Sequence, residues 1–114
     1  MAAVTQLFAG CAVADLATAL AFYERLLDRA PDMRPNEREA CWQLGDEAWL
    51  YVIVDPARAG GAVNTVLVDD LDARLAAWAQ RGIVPAEVEE YASGTRKAVL
   101  LDPDGNELGF GQVG

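Results

Sequence analysis

Not one histidine occurs in the 114 residues. That removes the commonest metal ligand and the commonest general base from the chemistry open to the chain. Cysteine is scarce as well: Cys11 and Cys41 make no spacing that reads as a metal or redox motif. Each falls inside a predicted strand, where a free thiol is commonly a buried, inert residue. No apolar run approaches the roughly 20 residues needed to cross a bilayer, so no membrane is expected as a partner. The N-terminus lacks the basic stretch and long apolar segment of a secretory signal, and cytoplasmic residence is the expectation. Positive charge is thin, with 9 basic residues against 18 acidic ones and a net charge of −9. Such a surface repels phosphate backbones, which speaks against nucleic acid as a partner. The acids are scattered rather than grouped, so solubility is their first meaning and attraction of a cationic small molecule their second.

What is present is one pattern stated twice. Val13-Ala14-Asp15-Leu16 opens a run that continues with Leu20 and Tyr23. At a constant offset, Val68-Asp69-Asp70-Leu71 opens a run continuing with Leu75 and Trp78. Gly45-Asp46-Glu47, before one apolar strand, is echoed by Gly105-Asn106-Glu107 before another. Half-chains of roughly 55 residues are marginal for independent stability, so the two copies must share a core. A single domain over 1–114 is expected, with modules at approximately 5–55 and 61–113, and a homodimer is a further expectation.

Local signals place the elements. Gln6 to Val13 reads as a buried strand; Asp15 sits where a helix cap belongs, and Leu16, Leu20, Tyr23 and Leu27 form one helical stripe to about Asp28. Pro31 and Pro35 make the next segment a short or irregular edge strand. Arg38–Leu44 and Ala48–Val54 form a hairpin around Gly45-Asp46, and Asp55–Gly61 links the modules. The second copy runs Ala62–Val68, a helix from the Asp70 cap to Gly82, Val84–Tyr91, Lys97–Leu101, a turn at Asp102-Pro103-Asp104-Gly105-Asn106, and a closing strand from Leu108 to Val113. The order β-α-β-β-β, twice, predicts an α+β fold.

The Val-x-Asp-Leu phrase, the following Phe22-Tyr23 and the closing Asp102-Pro103-Asp104-Gly105-Asn106 resemble the vicinal oxygen chelate superfamily, from about Gln6 to Gln112. That group includes glyoxalase I, extradiol dioxygenases and bleomycin-resistance proteins. The resemblance implies two tandem βαβββ modules forming a curved mixed sheet around a cleft. It also implies metal ligands at four cleft positions, which here are Phe8, Trp49, Val63 and Gly109. None of these side chains offers a lone pair to a divalent cation. Their neighbours Leu7, Ala9, Ala62, Asn64, Leu108 and Phe110 lack His, Glu and Asp too. No metal, no cofactor and no catalytic residue are therefore expected.

Alternation from those anchors gives the expected cleft wall. Phe8, Gly10 and Ala12 face Val63, Thr65 and Leu67; Trp49, Tyr51 and Ile53 and then Gly109 and Gly111 extend the two sides. A two-residue turn at Gly45-Asp46 would put Trp42 opposite Trp49. The same count across Asp104-Gly105 puts Leu100, Ala98 and Arg96 on the face of Gly109. Phe8, Trp42, Trp49, Tyr51, Val63, Thr65, Arg96 and Gly109 are thus the candidate ligand-binding residues. Trp42 and Trp49 could equally be packed core, and an outward or rim Arg96 would pair with Glu87 or Glu89. Tyr23 and Trp78 read as core.

Three functions fit this wall. The first is a metal-free protein that binds a small organic ligand, sequestering an aromatic or cationic antibiotic or metabolite. The second is a metal-independent isomerase or lyase using Tyr51 or a rim carboxylate. The third is an interaction module whose cleft has closed.

Overall fold

A computed structural model describes residues 2–114. The two helices begin where the sequence places their caps. Asp15 precedes α1 (Leu16–Leu27), and its Oδ2 accepts from the Thr18 N–H at 2.9 Å and from the Thr18 hydroxyl at 2.7 Å. Asp70 precedes α2 (Leu71–Gln80) and accepts from the Ala73 N–H at 3.0 Å. Both satisfy donors that the first helical turn leaves without a partner. Gly82, at φ 77°, reverses the chain after α2 as only a residue free of a Cβ does without strain.

Each module builds its own mixed sheet. In the first, β1 (Leu7–Val13) runs parallel to β3 (Ala48–Val54), which pairs antiparallel with β2 (Glu39–Gly45), in the order β1-β3-β2. In the second, β4 (Val63–Leu67) is parallel to β7 (Glu107–Gln112), followed by β6 (Arg96–Leu101) and β5 (Glu87–Glu90), in the order β4-β7-β6-β5. The segment holding Pro31 and Pro35 reduces to a single bridge, Met33 to Cys41, and the strand expected over Val84–Tyr91 shortens to β5. A short turn of 3-10 helix, Pro56–Arg58, lies in the linker. Among the described residues no helix is long and apolar enough to cross a membrane.

The halves do share one core. Tyr23, Trp42, Leu50 and Val52 of the first module form a single cluster with Leu71, Trp78, Leu108 and Phe110 of the second. Trp78 packs edge-on to Phe110, with ring centroids 5.0 Å apart, and its indole N–H donates to the Leu26 carbonyl at 2.9 Å, tying α2 to α1. At the junction, Asn64 donates its amide to the Gly10 carbonyl (3.3 Å) and so bridges the facing edges β4 and β1.

A denser clip is made by the Asp102–Asn106 turn. Asn106, fully buried, donates to the Ala12 carbonyl at 2.7 Å and to Asp102 Oδ2 at 2.8 Å, and accepts from the Ala62 N–H at 2.9 Å. Asp102 Oδ2 also accepts from the Tyr23 hydroxyl at 2.8 Å. Its Oδ1 takes the Asp104 and Asn106 N–H groups, both at 2.9 Å. The turn residues thus close a turn and hold module to module.

Register corrects two sequence expectations. A bulge between Gln43 and Gly45 sets Trp42 opposite Leu50 rather than Trp49, so Trp42 points into the core, where it is 0% exposed and packs on Tyr23. Across the second turn, Leu101 pairs with Glu107 and Val99 with Gly109, one residue from the expected count. Leu100 and Ala98 are therefore core residues, and Lys97 and Val99 take the face of Gly109.

Candidate functional site

The first module's wall is built on aromatic rings. Phe8 stacks on Trp49, with centroids 5.3 Å apart and planes 14° apart, and meets Tyr51 edge-on at 6.2 Å. Gly10 makes this possible: a Cβ there would stand 2.7 Å from the Tyr51 ring, so only glycine lets that ring lie over β1. The Trp49 indole N–H donates to Gln6 Oε1 at 2.8 Å, fixing its plane. Beside these rings lies a hollow of about 400 Å³, lined by Phe8, Tyr51, Ile53, Cys41, Glu39 and, from the loop before β2, Met33 and Pro35.

Sequence reasoning missed Cys41, Glu39, Met33 and Pro35. With the bulge included, alternation on β2 puts Glu39 and Cys41 opposite Ile53 and Tyr51. Nothing in the sequence announces that bulge. Met33 and Pro35 reach the hollow because the loop is pinned, with the Asp32 and Met33 N–H groups donating to the Cys41 carbonyl. Burial, and secondarily Glu39, pushes the Cys41 thiol up, away from the reactive thiolate.

The second module's wall carries Val63, Thr65 and Leu67 on β4, Gly109 and Gly111 on β7, and Lys97 and Val99 on β6. It stands open, with Val63 70% and Leu67 67% exposed. Of the candidates, Phe8, Trp49 and Tyr51 come together on the first wall, and Val63, Thr65 and Gly109 on the second. Trp42 and Arg96 join neither. Arg96 opposes Gln112 on the opposite face of the sheet, donates to Asp72 at 2.8 Å and lies 3.8 Å from Glu90, not beside Glu87 or Glu89. Its guanidinium, held above its ordinary range first by the Asp72 hydrogen bond, ties α2 to the sheet rather than reaching for a ligand.

The donor set does not suit a divalent cation. Phe8, Trp49, Val63 and Gly109 carry no ligating side-chain atom, and among the described residues no three of His, Cys, Asp and Glu are grouped so as to hold a metal ion. A larger hollow, about 450 Å³, opens between the end of α1 and α2, away from both walls. Two of its arginines are already engaged, Arg29 with Asp32 at 3.0 Å and Arg81 with Asp28 at 3.3 Å.

No protein-family model matches the sequence, and no curated protein does. Solved structures do. A glyoxalase/bleomycin resistance protein from Catenulispora acidiphila DSM 44928 is 48% identical, covering 96% of this chain and 98% of its own, with a TM-score of 0.92. A bleomycin-binding protein, solved in complex with bleomycin, is 26% identical over 96% of this chain and 98% of its own, with a TM-score of 0.77. TnmS3, an antibiotic binding protein from Streptomyces sp. CB03234, shares the fold at 24% identity and a TM-score of 0.76, covering 100% of this chain and 99% of its own. The tandem modules and an identity that extends along almost the whole of both chains assign the chain to the glyoxalase/bleomycin resistance protein family, within the vicinal oxygen chelate superfamily.

Proposed function

We propose that this protein binds and sequesters a planar aromatic molecule, an antibiotic or metabolite, without a metal. The observation that carries the reading is the aromatic hollow on the first wall, in a chain whose four positions suited to metal ligands hold apolar residues or glycine. Its volume of about 400 Å³ fits the range of small-molecule sites, roughly 300–1,000 Å³. The faces of Phe8, Tyr51 and Trp49 favour offset stacking with a flat ring. Two proteins of the same fold are an antibiotic binder and a bleomycin binder, which supports the reading without naming the ligand. A net charge of −9 would speed encounter with a ligand carrying a cationic group, and Glu39 on the hollow's rim would meet it.

Sequestration needs shape and affinity but no positioned acid or base. A metal-independent isomerase or lyase would need a group tuned toward neutral pH on these walls, and the shift at Cys41 runs the other way. A closed interaction module would fill the hollow that stands open here.

Titration with a panel of aromatic antibiotics tests the reading through tryptophan fluorescence. Trp42 and Trp78 are buried, so a ligand on the wall should quench Trp49. The signal should vanish in Trp49→Phe and survive excess EDTA. Binding that EDTA abolishes would overturn the metal-free assignment, and a full panel without response would overturn the ligand assignment.

A homodimer completes this site. No residue of the second module lines the first wall's hollow, and the second wall exposes Val63 and Leu67, as strand residues rarely stand unless something covers them. Setting the first wall of one copy against the second wall of another covers both and encloses the ligand. Val63→Glu should then convert the dimer to a folded monomer in sedimentation velocity. A Val63→Glu protein that still sediments as a dimer would place the contact elsewhere.

A further inference from the structure

Lys97 is the chain's one lysine, and its surroundings do not neutralise it. Glu89 stands directly opposite it on β5, yet among the described residues the Lys97 ammonium makes neither ion pair nor hydrogen bond. The side chain instead turns the other way, across the sheet. A Cβ built on Gly109 would stand 2.7 Å from Lys97 Cε, 3.3 Å from its Cδ and 3.4 Å from Thr65 Oγ1. Glycine at 109 is therefore the bed in which the lysine stem lies, and the Thr65 hydroxyl borders the same bed. Any side chain at 109 would displace that stem.

We infer that Lys97 and Thr65 form an oxyanion-binding pair on the second wall, which takes the ionised oxygen, carboxylate or phenolate, of an aromatic ligand. The inference rests on the proposed reading of the walls as a ligand site and narrows the ligand's class. An ammonium is a compact donor that suits a single charged oxygen, and a hydroxyl supplies a second donor to the same atom. The wall around the pair is apolar, with Val63, Leu67 and Val99 as neighbours on its face, so once the facing copy of the proposed dimer covers it, an oxygen meeting the pair trades water for charged donors in partly dry surroundings. Arg96, the other cation on β6, cannot substitute, because it is committed to Asp72 on the opposite face.

Two nearly isosteric probes separate charge from shape: 2-naphthoate and its neutral counterpart 2-naphthamide, titrated by calorimetry at about 0.15 M salt, which screens the repulsion between the chain's net charge of −9 and the anion. Wild type should bind naphthoate about tenfold more tightly than naphthamide, the usual gain for one charge-assisted contact. Lys97→Met should bring the two affinities together, and Lys97→Arg should keep part of the preference. Gly109→Ala should also reduce it, because the added methyl pushes the flexible lysine stem out of its bed. Since there is a single lysine, reductive ¹³C-methylation gives one side-chain lysine NMR signal besides that of the N-terminus, and it should move on adding naphthoate but not naphthamide. Equal affinities in wild type, or a preference that survives Lys97→Met, would overturn the Lys97 assignment while leaving the aromatic site standing. Failure of both probes to bind would remove the assignment together with the reading on which it rests.

Discussion

Asn106→Ala should lower the free energy of unfolding by about 3–5 kcal/mol, among the largest effects of any single truncation in this chain. The amide joins three segments at once: the Ala12 carbonyl at the end of β1, the Ala62 N–H just before β4, and the Asp102 carboxylate. Alanine leaves each without that partner, and the site is too enclosed for bulk water to replace them freely. Each orphaned buried group costs about 1–3 kcal/mol. Asn106→Asp should fare no better, since it trades a donor for an acceptor facing Asp102. Urea unfolding checks this through a fall in midpoint at an unchanged m-value. A loss under about 1 kcal/mol would mean that the Asn106 amide adds little to the junction between the modules.

The second large effect appears at alkaline pH. Burial pushes the Tyr23 phenol far above its ordinary range, and the neighbouring Cys11 thiol and Asp102 carboxylate push it further. Its hydroxyl proton is committed to Asp102 in the core. In the unfolded chain tyrosine ionises near pH 10. The sign follows: below about pH 10 both states hold the proton and stability is intact, while above it only the unfolded chain releases the proton. Stability should then fall by about 1.4 kcal/mol per pH unit from this group, or about 3 kcal/mol over two units. The Cys11 thiol, raised by burial, adds to the loss in the same direction from a slightly lower pH. Tyr23→Phe should be less stable at neutral pH, because Asp102 loses a donor, yet its stability should decline less steeply above pH 10. Parallel slopes for the two proteins would show that Tyr23 does not carry the alkaline sensitivity.

Both effects come from residues whose sequence signal is incomplete. Asp102, Gly105 and Asn106 read as turn formers, and they do form the turn. Nothing in Asp-Pro-Asp-Gly-Asn says that two of its side chains are buried between modules, because that depends on Ala12 and Tyr23, 94 and 79 residues away from Asn106 and Asp102, coming to meet them. Local features were legible: the duplication, the caps at Asp15 and Asp70, the helical stripes and the glycine stop at Gly82 all follow from nearest-neighbour chemistry. Register was not. The β2–β3 hairpin and the β6–β7 turn each differ from a simple two-residue count, and a one-residue slip moves every side chain to the other face. Trp42 and Arg96 therefore left the candidate site, and Cys41, Glu39 and Lys97 entered its walls. The strands that needed no count across a turn, β1 and β4, carried Phe8, Val63 and Thr65 to the faces expected of them.

The far border of the second sheet has a consequence of its own. Strand β5 ends the order β4-β7-β6-β5, and Glu87, Glu89 and Glu90 make up three of its four residues. An unpaired border strand is a template on which further chains can add and polymerise into fibres. Here any copy approaching along that border would bring its own glutamates against these, and mutual repulsion would turn it away. In the proposed dimer, association is thereby steered from endless growth toward the apolar walls, where it stops at two.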